Sequence, residues 1–308
     1  MSVPTHEDPV EQDGSAVTAN KAPDPESGAP ATPEKKPSRA GRNLPAALGV
    51  GFGLGISLIL VLVFVPKVMI PIVAVAMAIA TWEVTQRLRE ADVQVPRIPL
   101  LVGGQAMIWL AWPYGTTGTL GAFAATVLVT MTWRLFDHGL HATPKNYLRD
   151  TAVAVFVAAW IPLLASFATL LVLEDDGGKR VLTFMIGVVC SDVGGYAAGV
   201  LFGKHPMVPA ISPKKSWEGF AGSLLFTIVG EVLTVTFLLG ASSWIGVVLG
   251  VGLVIVATLG DLLESQFKRD LGIKDMGTLL PGHGGIMDRL DSLLPSAFVS
   301  WAVFSALI

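Results

Sequence analysis

Two polar segments of the sequence combine acidic and basic side chains in a pattern that suits phosphate chemistry. Residues 203–219 read GKHPMVPAISPKKSWEG, and residues 260–292 read GDLLESQFKRDLGIKDMGTLLPGHGGIMDRLDS. Lys and Arg side chains neutralise phosphate oxygens, and carboxylates are the hard oxygen ligands that Mg²⁺ prefers. The two segments therefore predict a site that holds a polyphosphate together with a divalent cation.

Helical spacing would group the acidic residues of the second segment. If a helix continues as far as Lys268, then Asp261, Glu264 and Lys268 share one of its faces. Asp288 and Asp291 have the same i, i+3 relation at the start of the next apolar stretch. We expect these two acidic helix ends to converge on a metal ion.

The residues between these helix ends carry little side-chain bulk. Residues 281–285 read Pro-Gly-His-Gly-Gly, and glycine permits both close backbone approach to a ligand and left-handed backbone angles. The N–H groups that lead into Asp288 lie at a predicted helix N-terminus, which favours anions. The connection is therefore expected to lie against the ligand.

Long apolar stretches must position these segments. The 308 residues are 52% hydrophobic and 15% charged, with one Cys, Cys190; soluble domains carry about 25% charged residues. This composition excludes an ordinary soluble enzyme, a disordered protein and a disulfide scaffold. Nine apolar stretches have a length that spans a bilayer, which predicts an all-α polytopic bundle of about nine transmembrane helices: 44–66, 68–86, 98–113, 116–136, 150–173, 179–203, 218–240, 243–264 and 288–308.

The basic residues predict the orientation. With a cytoplasmic N-terminus and nine helices, only Lys67, Lys179 and Arg180 of the 21 Lys and Arg residues fall outside. Both polar segments, and thus the active site, are then on the cytoplasmic face of the cell membrane. The basic residues outside the motifs are interpreted as topology determinants, namely Arg87, Arg89, Arg97 and Lys145. The net charge of −3 gives no reason to expect a nucleic-acid partner.

The chain divides into three predicted regions. Residues 1–42 are rich in Pro and lack aromatic residues, so we expect a disordered cytoplasmic tail. Residues 43–178 would form N-terminal transmembrane helices. Residues 179–308 would form the catalytic transmembrane region, with cytoplasmic loops at 203–219 and 260–292.

Two carboxylates lie inside apolar stretches, where a charge is costly and usually functional. Asp192 follows Ser191 in the stretch 179–203, and the alternative to a functional role is a structural hydrogen bond to Ser191 or a neighbouring helix. Glu231 lies in the stretch 218–240 outside any motif. For Glu231, packing or a water-filled crevice is the favoured interpretation.

Several runs of residues together form a family pattern. SQFKR at 265–269, KDMG at 274–277 and LPGHGGIMDRLD at 280–291 follow one another, with FGKH at 202–205 and SPKKSWEG at 212–219 upstream. Over residues 179–308 the sequence resembles the phosphatidate cytidylyltransferases, or CDP-diacylglycerol synthases. The resemblance implies that CTP and phosphatidic acid react, with Mg²⁺, to give CDP-diacylglycerol and pyrophosphate for phospholipid biosynthesis.

The resemblance also implies site residues and partners. Asp261 and Asp288 are the first choices as metal ligands and Glu264 is the next, with Asp192 and Asp291 weaker; a second cation stays open. The remaining catalytic candidates are His283, Lys268 and Arg269. Substrate-binding candidates are Ser212, Lys214, Lys215, Lys204, Lys274, Arg289 and Asp192. The partners are CTP, phosphatidic acid, the bilayer and a second copy of the chain in a homodimer.

Other functions stay open at this point. A CTP-dependent enzyme could act on another lipid phosphate, such as an isoprenoid glycerol phosphate, or phosphorylate a polyprenol. A transporter would explain the helices, Asp192 and Glu231, but not two polar loops on one face, and no matched broken helices occur in two inverted halves. An inactive scaffold is disfavoured because every polar position of the pattern at 265–291 is present.

Overall fold

The structure is a computed structural model, and it describes residues 44–137, 139, 141–277 and 284–308, without the side chains of 44–52 and 54. The predicted tail at 1–42 and the candidate residue His283 lie outside the described residues.

Helices make up almost all of the described chain, as the apolar stretches predict. The helices are α1 Leu44–Phe64, α2 Met69–Glu90, α3 Arg97–Leu135, α4 Tyr147–Ala158, α5 Leu164–Leu173, α6 Gly177–Phe202, α7 Trp217–Leu233, α8 Ser243–Asp270, α9 Met287–Leu290 and α10 Leu293–Leu307. Backbone groups in lipid must be satisfied within the chain, and a helix satisfies them within its own segment. The all-α polytopic fold is confirmed.

Two of these helical stretches are interrupted. Gly115 leaves helical geometry at φ 56° inside α3, and Thr119 Oγ1 beyond it donates a hydrogen bond back to the Met107 carbonyl at 3.3 Å. The two halves of α3 therefore lie side by side, as the separate stretches 98–113 and 116–136 predict. A π-helical turn at Ala159–Leu163, which contains Pro162, joins α4 to α5, because proline has no N–H for the regular helix ladder.

Six of the described helical stretches are long and apolar enough to cross a membrane: Pro66–Glu90, Tyr147–Leu173, Gly177–Phe202, Trp217–Leu238, Ser243–Asp270 and Met287–Leu307. The three other predicted spans correspond to α1 and to the two halves of α3. The count of nine therefore stays a prediction, although a helix lies at each of the nine predicted places.

The buried apolar core runs through most of the helices, including α2, α3, α5, α6, α8 and α10. Ile70, Met77, Leu100 and Leu171 have no exposed side-chain surface. Large apolar side chains also face outward from the bundle, as Phe237 does with 82% of its surface exposed. An apolar exterior around a packed interior is what a lipid environment requires.

Small residues bring α6 and α7 unusually close together. A Cβ atom added at Gly222 would lie 2.3 Å from Ala198 Cβ, and one added at Gly194 would lie 2.7 Å from the Gly222 carbonyl oxygen. Close backbone approach through small residues is a common way for membrane helices to pack. Ser223 Oγ then donates to the Ser191 carbonyl at 2.7 Å, which fixes the register of the two helices beside Asp192.

A second close approach joins α8 to the start of the last helical pair. A Cβ atom at Gly260 would lie 2.2 Å from the Asp291 carbonyl oxygen. The backbone of Asp291 therefore packs directly on α8 at Gly260, which is the residue before Asp261. This contact brings the acidic end of α8 against the acidic start of α9 and α10.

The polar stretch after α6 forms a short antiparallel hairpin, which the helical prediction did not include. Strand β1 is Pro206–Val208 and strand β2 is Ser212–Ser216, with Pro206 opposite Ser216 and Val208 opposite Ser212. The hairpin places the Lys214 and Lys215 pair above the ends of α6, α7 and α8.

Candidate active site

A cavity of about 590 Å³ lies where the two polar segments meet. Its walls come from α6, the β1–β2 hairpin, α7, α8 and the motif segment, defined here as residues 275–277 and 284–292. Gly195, Gly199 and Gly219 form part of the wall, so the close packing of α6 and α7 also leaves backbone surface facing the cavity.

Charges of both signs face this cavity. Its basic lining residues are Lys214, Lys215, Lys268 and Arg289, and its acidic lining residues are Asp192, Asp261, Glu264, Asp275, Asp288 and Asp291. Nine of the residues predicted for the site are therefore brought to one cavity: Asp192, Ser212, Lys214, Lys215, Asp261, Glu264, Lys268, Asp288 and Arg289. Asp192, within α6, lies on the cavity side of that helix, not in a packed interface between helices.

An ion pair links the hairpin to α8. Lys215 Nζ lies 2.5 Å from Asp261 Oδ2 and 3.5 Å from the Thr258 carbonyl oxygen, to which it donates. The Lys215 side chain is 24% exposed and that of Asp261 is 37% exposed, so both groups remain accessible from the cavity.

Lys268 joins the acidic end of α8 to the motif segment. Its Nζ donates to Glu264 Oε2 at 2.5 Å and to Asp288 Oδ1 at 3.0 Å. The side chain of Glu264 is 1% exposed and that of Asp288 is 7% exposed. Burying two carboxylates is costly unless a cation and hydrogen bonds compensate, and Lys268 is the cation that lies between them.

The Asp288 carboxylate also organises the backbone around it. It accepts hydrogen bonds from the Met276 N–H at 3.0 Å and from the Gly285 N–H at 2.8 Å. These bonds hold the two described ends of the motif segment together. Asp288 is therefore occupied by backbone donors and by Lys268.

Three other carboxylates form the group that could hold a cation. Ligand oxygens of Asp261, Glu264 and Asp291 lie within 4.8 Å of one another. Glu264 Oε1 is buried and has no hydrogen-bond partner among the described residues. A buried carboxylate oxygen in a group of three carboxylates is a donor set that fits Mg²⁺. The structure thus places Asp291, a weaker candidate in the sequence, in this group, and it places Asp288 beside the group.

Four predicted site residues do not line the cavity or cannot be placed. The side chains of Lys204, Arg269 and Lys274 are exposed and are not part of the cavity lining. His283 lies outside the described residues, so its predicted role stays a prediction.

The residues around Lys204 anchor the hairpin to α7. Glu218 accepts hydrogen bonds from the backbone N–H groups of Lys204 at 3.1 Å and His205 at 3.2 Å, and it pairs with His205 Nδ1 at 2.5 Å. Ser216 caps α7 by accepting from the Gly219 N–H at 3.1 Å. Part of the FGKH and SPKKSWEG pattern therefore has a structural use.

Sequence reasoning missed two residues of α2 that contact the motif segment. Glu83 accepts a hydrogen bond from the Met287 N–H at 3.0 Å, and Arg87 Nε donates to the Met276 carbonyl at 2.9 Å. The sequence interpretation of Arg87 as a topology determinant does not account for this bond. The sequence did show an acidic and a basic residue four positions apart near the end of an apolar stretch. It contained no pattern that would predict a contact between these residues and a segment about 200 residues away.

Comparisons with known proteins give a family match and several named relatives. Residues 46–307 match the model of a family described as the cytidylyltransferase family. The chain is 56% identical to the phosphatidate cytidylyltransferase of Mycobacterium leprae over 284 residues, which are 89% of this chain and 91% of that protein. It is 56% identical to that of Mycobacterium bovis over 300 residues, 95% of this chain and 98% of that protein.

A more distant relative shows the same match. The phosphatidate cytidylyltransferase of Staphylococcus haemolyticus is 30% identical over 203 residues, which cover 66% of this chain and 77% of that protein. The family match includes α2 through α10, and therefore all of the cavity walls.

Proposed function

The chain belongs to the cytidylyltransferase family, and from this premise we propose that it makes CDP-diacylglycerol and pyrophosphate from CTP and phosphatidic acid in the cavity described above. One observation carries the assignment to this cavity. The basic and acidic side chains of two separate polar segments line a single cavity between membrane helices, and Lys215 and Asp261 pair across it. The names of the relatives supply the two substrates.

The reaction requires no dedicated general base. A phosphate oxygen of phosphatidic acid forms a bond to the α-phosphorus of CTP, and the bond from that phosphorus to the oxygen of the β-phosphate breaks. Pyrophosphate leaves with the electron pair of the broken bond. Because the attacking oxygen is already anionic at neutral pH, catalysis consists of positioning the two phosphates and neutralising their mutual repulsion.

The basic lining residues are suited to that neutralisation. Lys214, Lys215, Lys268 and Arg289 face the cavity that must hold up to four phosphate groups. Lys215 and Lys268 are already oriented by carboxylates. Cations that are held in place before the substrate arrives need little reorganisation in the transition state, which is where preorganised charge contributes most.

The proposed reaction also uses a Mg²⁺ ion. Asp261, Glu264 and Asp291 would hold the ion, where it would offset phosphate charge and polarise the α-phosphate for attack. Asp288 supports the group indirectly, through Lys268 and the backbone of the motif segment.

Orientation and assembly are also part of the proposal. CTP is a cytosolic triphosphate that does not cross hydrocarbon, so the cavity opens to the cytoplasm from the cell membrane. Phosphatidic acid enters laterally with its acyl chains still in lipid. The distribution of Lys and Arg in the sequence supports this orientation, and the resemblance to the family supports a homodimer.

Position-specific labelling of CTP tests the reaction directly. Purified protein in phosphatidic acid-containing vesicles with Mg²⁺ should transfer label from the α-phosphate of CTP to lipid. Label on the γ-phosphate should leave as pyrophosphate. Label from the γ-phosphate in lipid would instead identify a CTP-dependent kinase, and no transfer to any lipid would overturn the assignment.

The lipid acceptor needs its own comparison. Phosphatidic acid, an isoprenoid glycerol phosphate and a polyprenol are offered separately at equal concentrations. We expect the highest kcat/KM with phosphatidic acid. A higher kcat/KM with the isoprenoid compound would keep the cytidylyl transfer and change the lipid substrate.

A further inference from the structure

Glu83 of α2 reaches the motif segment although it is not part of the cavity lining. Its Oε2 accepts a hydrogen bond from the Met287 N–H at 3.0 Å, one residue before Asp288. Glu83 is 9% exposed. A buried carboxylate that accepts from a backbone N–H fixes the position of that peptide group, because leaving either group unpaired is costly.

Two glycines let the motif segment close around this carboxylate. A Cβ atom added at Gly277 would lie 2.1 Å from Glu83 Oε1, and one added at Gly285 would lie 2.5 Å from Glu83 Oε2. The same atom at Gly285 would also lie 2.7 Å from the Gly277 nitrogen. The carboxylate of Glu83 therefore lies where the two described ends of the motif segment meet, and any side chain at these glycines would collide with it.

Arg87 makes the second contact from the same helix. Arg87 lies one turn after Glu83, and its Nε donates to the Met276 carbonyl at 2.9 Å. The N–H of Met276 donates in turn to the Asp288 carboxylate. Met276 is thus held on one side by α2 and on the other by a residue of the cavity. Through Asp288, the contact continues to Lys268.

We propose that Glu83 and Arg87 form a brace that positions the motif segment, and with it Asp288 and Lys268, for catalysis. Both are positioning residues, because neither lines the cavity. The part of the proposal that concerns catalysis rests on the proposed function. The part that concerns the backbone of the motif segment does not.

The chemistry of the contact sets a specific expectation for Glu83. Its described partner is a neutral N–H group, and an amide oxygen can accept from that group as a carboxylate does. Glu83→Gln should therefore retain most of the activity. Glu83→Ala removes the acceptor and should lower kcat about 10- to 100-fold, since small misplacements of catalytic groups have effects of this size.

Hydrogen exchange of the full-length protein in lipid tests the brace without reference to activity. In Glu83→Ala, the amides of residues 276–277 and 284–290 should exchange faster than in the wild type, while peptides from α5 and α10 should be unchanged. Glu83→Gln should resemble the wild type. Glu174→Ala is the matched control, because Glu174 is exposed at the end of α5 and should change neither exchange nor kcat.

Arg87→Met tests the other half of the brace. The Arg87 side chain is 27% exposed, so its loss should leave the fold intact and raise exchange in the peptide that contains Met276. This variant also keeps the proposal testable if Glu83→Ala does not fold.

Three results would overturn the brace. The first is unchanged exchange at residues 276–277 and 284–290 in Glu83→Ala and Arg87→Met, or in Arg87→Met alone if Glu83→Ala does not fold. The second is faster exchange throughout the protein, which would mean a general structural role. The third is a loss of kcat in Glu83→Gln as large as in Glu83→Ala, which would mean that Glu83 acts through its charge. A wild-type protein without transferase activity would refute the proposed function and leave the exchange result to decide the brace.

Discussion

Lys215 Nζ lies 2.5 Å from Asp261 Oδ2, across the cavity between the β1–β2 hairpin and α8. Lys215 belongs to the polar segment 203–219 and Asp261 to the polar segment 260–292. Helix α7 and most of α8 separate the two residues along the chain. The pair holds a candidate phosphate-binding cation and a candidate metal ligand in one place. Polyphosphate bound with a divalent cation would engage both groups at once.

The first prediction concerns the two lysines of β2. Lys214→Ala combined with Lys215→Ala should raise the KM for CTP or phosphatidic acid about tenfold or more, since each lysine would make a charge-assisted hydrogen bond to phosphate. Lys179→Ala is the control, because Lys179 pairs with Asp176 at 3.2 Å and lies outside the cavity lining. Unchanged KM values for both substrates in the double variant would reduce these lysines to topology determinants.

The second prediction concerns Lys268. Lys268→Met leaves the Glu264 carboxylate buried without its cation and should lower the unfolding free energy by about 2 kcal/mol, less than for a fully buried pair because Lys268 is 18% exposed. Adding Glu264→Gln should restore part of the stability, because Asp288 still lacks its cation, but none of the activity. Thermal unfolding and rate measurements on the same samples separate the two effects. Recovery of activity in the double variant would exclude both residues from the reaction.

The third prediction concerns Gly277. Gly277→Ala should lower activity, because its Cβ would lie 2.1 Å from Glu83 Oε1. Gly121→Ala is the matched control, since a Cβ there meets nothing within 4 Å. If the collision is the cause, Gly277→Ala should add little to Glu83→Ala in the double variant. Full additivity of the two losses in kcat would contradict this explanation.

The fourth prediction concerns sidedness. In a Cys190→Ser background, a cysteine at exposed Lys274 should react with a membrane-impermeant maleimide only from the cytoplasmic side. A cysteine at exposed Ser242, before α8, should react only from outside. Labelling of Lys274→Cys from outside in intact cells would refute the proposed orientation and, with it, the route of CTP.

The sequence predicts the helices well because the bilayer allows few alternatives. Each predicted apolar stretch corresponds to a helix, and Gly115 separates the halves of α3 between the predicted stretches. Asp261, Glu264 and Lys268 could be grouped from their spacing because one helix carries all three. These relations are local and depend only on helical geometry.

Relations between distant segments could not be predicted in the same way. Asp291 joins Asp261 and Glu264 because Gly260 allows the backbone of Asp291 to pack on α8, and no spacing rule distinguishes it from Asp288. Glu83 contacts a backbone N–H 204 residues away. Because the partner of Glu83 is a backbone N–H, which every residue except proline has, the sequence contains no complementary side chain that would indicate the contact.

We propose that cytidylyl transfer takes place at the carboxylates of this cavity. The most direct test of this claim is the initial rate of CDP-diacylglycerol formation from CTP and phosphatidic acid by Asp261→Asn and Asp270→Asn, over a range of Mg²⁺ concentrations. Asp270 is an exposed residue at the end of the same helix and accepts a hydrogen bond from Gln266. We expect wild-type rates for Asp270→Asn and a loss of about 100-fold or more for Asp261→Asn, as when one key electrostatic group is removed. A rate for Asp261→Asn near that of the wild type at every Mg²⁺ concentration would contradict the claim.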